Sequence, residues 1–112
     1  METKRQNKIS RLIQKELADI FLRESRNTFY GAMITVTKVY VTKDLSLARI
    51  YLSLFGIKDK NELLGTIRLH TREIRKEMGM RIRNQVRILP ELEFFQDDSL
   101  DYIEKIEKLL KK

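Results

Sequence analysis

Residues 33–55 read MITVTKVYVTKDLSLARIYLSLF, and their density of β-branched side chains decides the fold class. Valine, isoleucine and threonine are stiff at χ1 and suit a pleated, half-buried surface better than a helix. In the second half, Ala48, Ile50, Leu52 and Leu54 share one parity while Arg49, Tyr51 and Ser53 share the other, which predicts a strand buried on one side only. The first half slips: Ile34 and Val36 fall on one parity, Val39 and Val41 on the other. Such a slip predicts a bulge or bend near Thr37 and Lys38. With KDLS at 43–46 as the turn, the two strands form an antiparallel hairpin.

Working outward, the pattern turns helical on both sides. Upstream, Ile9, Leu12, Ile13, Leu17, Ile20 and Phe21 recur at three- and four-residue intervals, predicting a helix from Lys4 to about Glu24, with SRNTFYG as the following turn. Downstream, Asp59 and Glu62 have the spacing of a capping box, and Leu64, Ile67, Ile74, Met78 and Ile82 mark a long helical stripe. Gly65 and Gly79 interrupt it, each costing about 1 kcal/mol relative to alanine, so Gly79 is a candidate kink or helix boundary. VRILPELEFF at 86–95 predicts a third strand whose Pro90 position faces an edge or a bulge. The segment from Asp97 onward places acids at the start and lysines at the end of a closing helix. The order is α-β-β-α(α)-β-α. One α+β domain over residues 1–112, with helices packed on one face of a three-stranded sheet, buries these stripes together.

Composition narrows the function. A chain of 112 residues, 42% hydrophobic and 35% charged, with one proline and four glycines, is built to fold rather than remain disordered. With no cysteine and a single histidine it has neither a disulfide framework nor a thiolate or histidine-cluster metal site, and no cofactor motif occurs. No apolar signal core follows METKRQNKIS, and the longest near-apolar run is about half a bilayer span, so a cytoplasmic setting without membrane contact is expected. The formal net charge of +7 attracts polyanions, but the placement of the charges matters more than their sum.

At about 100° per residue, an unbroken helix over 64–83 gathers Arg68, Arg72, Arg75, Lys76 and Arg83 into one sector beside the apolar stripe, with Glu73 and Glu77 on the opposite flank. Gly79 projects into that basic sector, where a missing side chain would let a phosphate approach the backbone. On the first helix Lys4, Lys8, Arg11 and Lys15 form a second basic stripe opposite the buried residues. A helix face without a partner usually interleaves its signs to make i,i+4 pairs; these two sort them instead. The ordinary alternative is a solvated face. The expected phosphate-binding set is therefore Lys4, Lys8, Arg11, Lys15, Arg68, Arg72, Arg75, Lys76, Gly79 and Arg83, with Arg81 and Arg87 at its margin.

The ordered set ITVTKVYVTKDLSLARIYLSLFG, the basic helical region and VRILPELEFFQDDSLDYIEKIEKLL resembles the ribosome-binding factor A family from about Arg5 to Leu110. That resemblance implies a KH-like domain of the second type and a non-enzymatic, RNA-binding assembly factor. It implies association with 16S rRNA in immature, free 30S subunits, late rRNA maturation and growth in the cold. KH modules clamp nucleic-acid backbone with a GXXG loop between two helices. This chain has no GXXG, nor the Ala-x-Gly at which the family commonly interrupts its helix; the matching position is near His70, Thr71 and Arg72, or at Gly79.

Other chemistry is set aside. Asp97 and Asp98 are read as a helix cap rather than a catalytic dyad, and His70 as a helix-flank residue without a partner nucleophile. Tyr40, Tyr51 and Phe95 share the predicted outer sheet face, where they stack bases or, more simply, one another. Met78 and Met80 are read as core and boundary residues. No small-molecule substrate is implied and a monomer is expected. The competing function is a protein-interaction module whose sheet edge or outer sheet face binds an acidic partner.

Overall fold

The computed structural model describes residues 3–97; the expected closing helix lies outside them. The elements are α1 (Lys4–Thr28), β1 (Met33–Val41), β2 (Leu47–Phe55), α2 (Lys60–Leu69), α3 (Thr71–Ile82) and β3 (Glu91–Gln96). The sheet order is β1-β2-β3, with β1 antiparallel to β2 and β3 parallel to it. Parallel strands need a long crossover, here supplied by α2 and α3.

α1 begins at a capping box: the Thr3 hydroxyl accepts from the Gln6 N–H and the Gln6 side chain accepts from the Thr3 N–H. It runs to Thr28, past the Glu24 expected from the sequence. The reason is Phe29, 1% exposed and packed on Phe21 at 5.6 Å, which draws one more turn of helix over the core. The chain then leaves through Tyr30 and Gly31 with φ of 58° and 75°, left-handed geometry that glycine adopts without steric cost.

The bulge falls where the alternation slipped. Val36 pairs with Leu52 and Lys38 with Tyr51, leaving Thr37 extra, and the Thr37 hydroxyl bonds the Tyr51 carbonyl and the Asp97 carboxylate. In the turn, Asp44 accepts from the Thr42 and Ser46 hydroxyls and the Ser46 N–H; the Ser46 hydroxyl bond first of all, then that of Thr42, holds its carboxyl below the usual range.

The core lies between the sheet and the three helices. Ile13 and Leu17 of α1, Ile50 and Leu52 of β2, Leu63 and Ile67 of α2, and Met78 and Ile82 of α3 are all fully buried. Each contributes about 1.5–3 kcal/mol of apolar burial.

Of the two positions expected for the helix break, the chain uses His70, which closes α2 and opens α3 with φ −96° and ψ 9°; Gly79, the other, lies inside α3. Gly79 does not open toward solvent, because an added Cβ there would meet Leu89 Cδ2 at 2.8 Å. The third strand is also shorter than expected. Val86 and Ile88 lie before it, and the ladder starts only after Pro90, with the Glu91 N–H donating to the Ser46 carbonyl.

The two helical glycines are therefore unequal. Gly65→Ala, with nothing within 4 Å of the new Cβ, is expected to raise unfolding free energy by about 0.5–1 kcal/mol. Gly79→Ala gains less, since Leu89 must turn aside. Urea denaturation of both variants checks this ordering.

Candidate nucleic-acid interface

The burial of Ile9, Ile13, Leu17 and Ile20 fixes how α1 is rotated over the sheet, and two glutamines pin that rotation. Gln6 Nε2 donates to the Val41 carbonyl at 2.9 Å and Gln14 Nε2 to the Val36 carbonyl at 3.0 Å, both on β1. Lys4, Lys8, Arg11 and Lys15 then point away from the sheet, and all four are exposed. In α3 the burial of Ile74, Met78 and Ile82 does the same for Arg72, Lys76 and Arg83, again all exposed. Arg83 caps α3 with helical φ and ψ of −56° and −29°, so its place on that back holds. Arg87 is exposed in the loop before β3. None of these eight cations is tied to a carboxylate among the described residues.

Three arginines of the sequence set are otherwise engaged. Arg68 Nε and Nη2 both donate to the Phe94 carbonyl, at 3.2 and 2.8 Å. Arg75 Nε donates to the Pro90 carbonyl and Nη2 to that of Leu89, with Glu91 3.5 Å away. Arg75 thus satisfies two carbonyls that precede β3, and Arg68 one within it. Arg81 points into the seam between α1 and α3. There it meets Asp19 at 2.7 Å and Glu16 and Glu77 at 3.3 Å, with 18% of its side chain exposed. The Asp19 hydrogen bond, aided by those of Glu16 and Glu77 and opposed by burial, raises its pKa further.

The single basic sector projected over 64–83 therefore does not form. The break at His70 separates Arg68 from α3, and Arg75 and Gly79 lie on the flank that faces Leu89, Pro90 and β3. What remains is two outward basic helix backs with an ion cluster between them. In the sequence, Glu77 and Arg81 were visible as an i,i+4 pair, but Glu16 and Asp19 come from 62–65 positions upstream and carried no local signal.

His70 sits at the helix junction. Its Nδ1–H donates to the Thr66 carbonyl at 2.8 Å and its ring packs edge-on against Phe29. Thr71 Oγ1 donates back to the Arg68 carbonyl. On the outer sheet face Tyr51 and Phe95 stack on each other at 5.5 Å, and Arg49 covers Tyr40 at 5.9 Å while approaching Glu93 at 3.9 Å. Each of these rings thus has one face covered from within the sheet. Among the described residues no group of three or more His, Cys, Asp or Glu could hold a metal ion, and no helix is long and apolar enough to cross a membrane.

A three-stranded α+β sheet with α1 on one face, and with the β2-to-β3 crossover made by two helices meeting at a single residue, defines a KH-like fold whose GXXG loop is replaced by a helix break. A crystal structure of ribosome-binding factor A from Thermus thermophilus superposes with TM-score 0.69 at 21% identity, over 81% of this chain and 94% of that one. A homology model of the Thermus thermophilus factor, fitted into a cryo-EM map of a 30S complex, gives 0.62 at 23% identity over 78% and 89%. The family model described as Ribosome-binding factor A matches residues 5–110. The Cytophaga hutchinsonii protein of that description is 50% identical over 112 residues, all of this chain and 84% of that protein. The chain belongs to the ribosome-binding factor A family.

The division between engaged and outward cations is measurable as stability. Arg81→Ala leaves Glu16, Asp19 and Glu77 facing one another and is expected to lower unfolding free energy by about 1–3 kcal/mol. Lys76→Ala should change it by less than about 0.5 kcal/mol. Chemical denaturation of both variants tests this, and equal losses would contradict the assignment.

Proposed function

We propose that the protein binds the free 30S ribosomal subunit through 16S rRNA, as a non-enzymatic assembly factor of the cytoplasm, acting as a monomer on one domain. The supporting observation is the sorting of its cations. Lys4, Lys8, Arg11 and Lys15 on α1 and Arg72, Lys76 and Arg83 on α3 share the helix layer's outer side, Arg87 is exposed in the loop after α3, and all lack internal partners among the described residues. Of the carboxylates at the seam, Glu16, Asp19 and Glu77 are held by Arg81, and Asp19 also by Arg23, which limits their repulsion of phosphate. Family membership supplies the ribosomal context, and the Thermus factor's fit into a map of a 30S complex supports the choice of subunit.

Arg68, Arg75, Arg81 and Gly79 act behind this surface. Arg68 and Arg75 hold β3 against α2 and α3, Arg81 holds α3 against α1, and Gly79 admits Leu89. Phosphate contacts position a protein without reading bases, so selectivity comes from rRNA shape: only a strand path matching the spacing of the two helix backs reaches both. Binding one rRNA conformation in preference to others shifts the population toward it and promotes late 16S rRNA maturation without turnover. The break at His70 keeps the backbone next to Arg72 near the surface, in place of a GXXG clamp.

The test is the quadruple variant Lys8→Glu, Arg11→Glu, Arg72→Glu, Lys76→Glu, checked for folding by circular dichroism and sedimented with immature and mature small subunits. Affinity should fall by more than about a hundredfold, and the slope of log affinity against log salt should shrink by about 3, close to 0.7–0.9 for each lost phosphate contact. Undiminished binding by a folded variant removes the phosphate-surface reading. Purified protein incubated with precursor rRNA alone is expected to leave the 5′ end untrimmed; trimming would make it an enzyme.

A further inference from the structure

β1 is an edge strand, and α1 covers its free edge only in part. Backbone groups of one strand parity point away from β2. The Val36 carbonyl, bonded by Gln14, and the Ala32 carbonyl, bonded by the Ser25 hydroxyl at 2.6 Å, both belong to the outward parity. Ile34 lies between them on the same parity, so its N–H and C=O also face outward, and no α1 side chain reaches them. Beside this open rung runs a groove of ≈ 540 Å³ between α1 and β1, floored by Ala18, Phe21 and Ile34. Leu22 and Met33, at its margin, are 77% and 66% exposed, an unusual pair of large apolar side chains to leave beside a strand edge that no other strand pairs among the described residues. Among the described residues Lys15 is the one charged residue lining it and no carboxylate does.

We infer that this edge docks an extended, acidic segment of a partner protein by strand addition at Ile34. Each feature selects that occupant. An outward N–H and C=O flanked by capped positions is matched by the backbone of one short strand, whose alternate side chains enter the groove against Leu22 and Ala18. Lys15, on a chain of net charge +7, selects a carboxylate at one end of the segment and disfavours a basic one. Nucleic acid would find phosphate contacts here only at Lys15 among the described residues and lacks the paired donor and acceptor that the open rung requires. The edge therefore lets the protein hold a protein partner on one flank, with Lys15 given over to it, while the other cations of the outward helix backs hold RNA, and it stands whether or not the RNA reading does.

The probe is the peptide acetyl-Glu-Val-Thr-Val-Thr-Val-Glu-amide, titrated into the full chain while backbone amide resonances are followed. Shifts confined to Ala18, Leu22 and residues 33–36 are expected, with new protection of the Ile34 amide from exchange. Ile34→Pro deletes that outward N–H without removing a bond to β2, a substitution an edge strand tolerates, and Leu22→Glu places a like charge in the groove. Both should weaken the peptide at least about tenfold while leaving small-subunit sedimentation unchanged. A lysine-ended peptide of the same core should bind more weakly than the acidic one. Unchanged binding to Leu22→Glu, equal binding of the two peptides, or shifts centred elsewhere would overturn the proposal. Concentration-dependent self-association that perturbs the Ile34 amide without peptide, or occupation of the groove by residues 98–112 of the same chain, would also overturn it.

Discussion

The rotational setting of α1 over the sheet is the constraint on which the other features depend. Apolar burial orients the helix to within a turn, but it is directionally soft, whereas Gln6 and Gln14 each need one carbonyl of β1 at hydrogen-bond distance. Gln6 is 3% exposed, so losing its partner would strand a buried amide as well as remove a bond. Once that rotation is set, Glu16 and Asp19 must face α3 and the lysines must face outward. The seam, the basic backs and the partly open edge are consequences of one helix angle.

The same logic explains why the chain carries so many arginines yet presents fewer of them to solvent than their number implies. A guanidinium group has five donors in a fixed fork and can serve two carbonyls or three carboxylates at once. Arg75 spans Leu89 and Pro90, and Arg81 spans two helices. A lysine at either place would supply charge without the geometry. Net charge is thus a poor guide to the strength of an electrostatic surface when part of it is used inside the fold.

The elements that were legible in the sequence are those whose signal is local. The α1 stripe, the alternation of β2, the Asp59 cap and the Thr37 bulge all follow from side chains within a few residues of one another. Residue chemistry alone favoured Gly79 for the helix break, and only the family resemblance also offered His70–Arg72, because His70 carries no breaker chemistry; the junction is held by Thr66, Thr71 and a Phe29 ring 41 positions away. The end of α1 was misplaced for the same reason, since polar residues 25–28 stay helical on account of the buried Phe29. For the candidate site, outward lysines on α1 were readable from periodicity alone. Arg68, Arg75 and Arg81 were not separable from them, because their acceptors lie in β3, the preceding loop and α1.

The one-residue junction between α2 and α3 has a mechanical consequence. A GXXG loop is compliant, and a ligand that it grips must also quench its motion. Here the elbow has no spare length, and its histidine is bonded on one side and packed against an aromatic ring on the other. The junction therefore has fewer free backbone torsions to order than a loop would. On the proposed surface, a partner would lose little affinity to ordering this elbow.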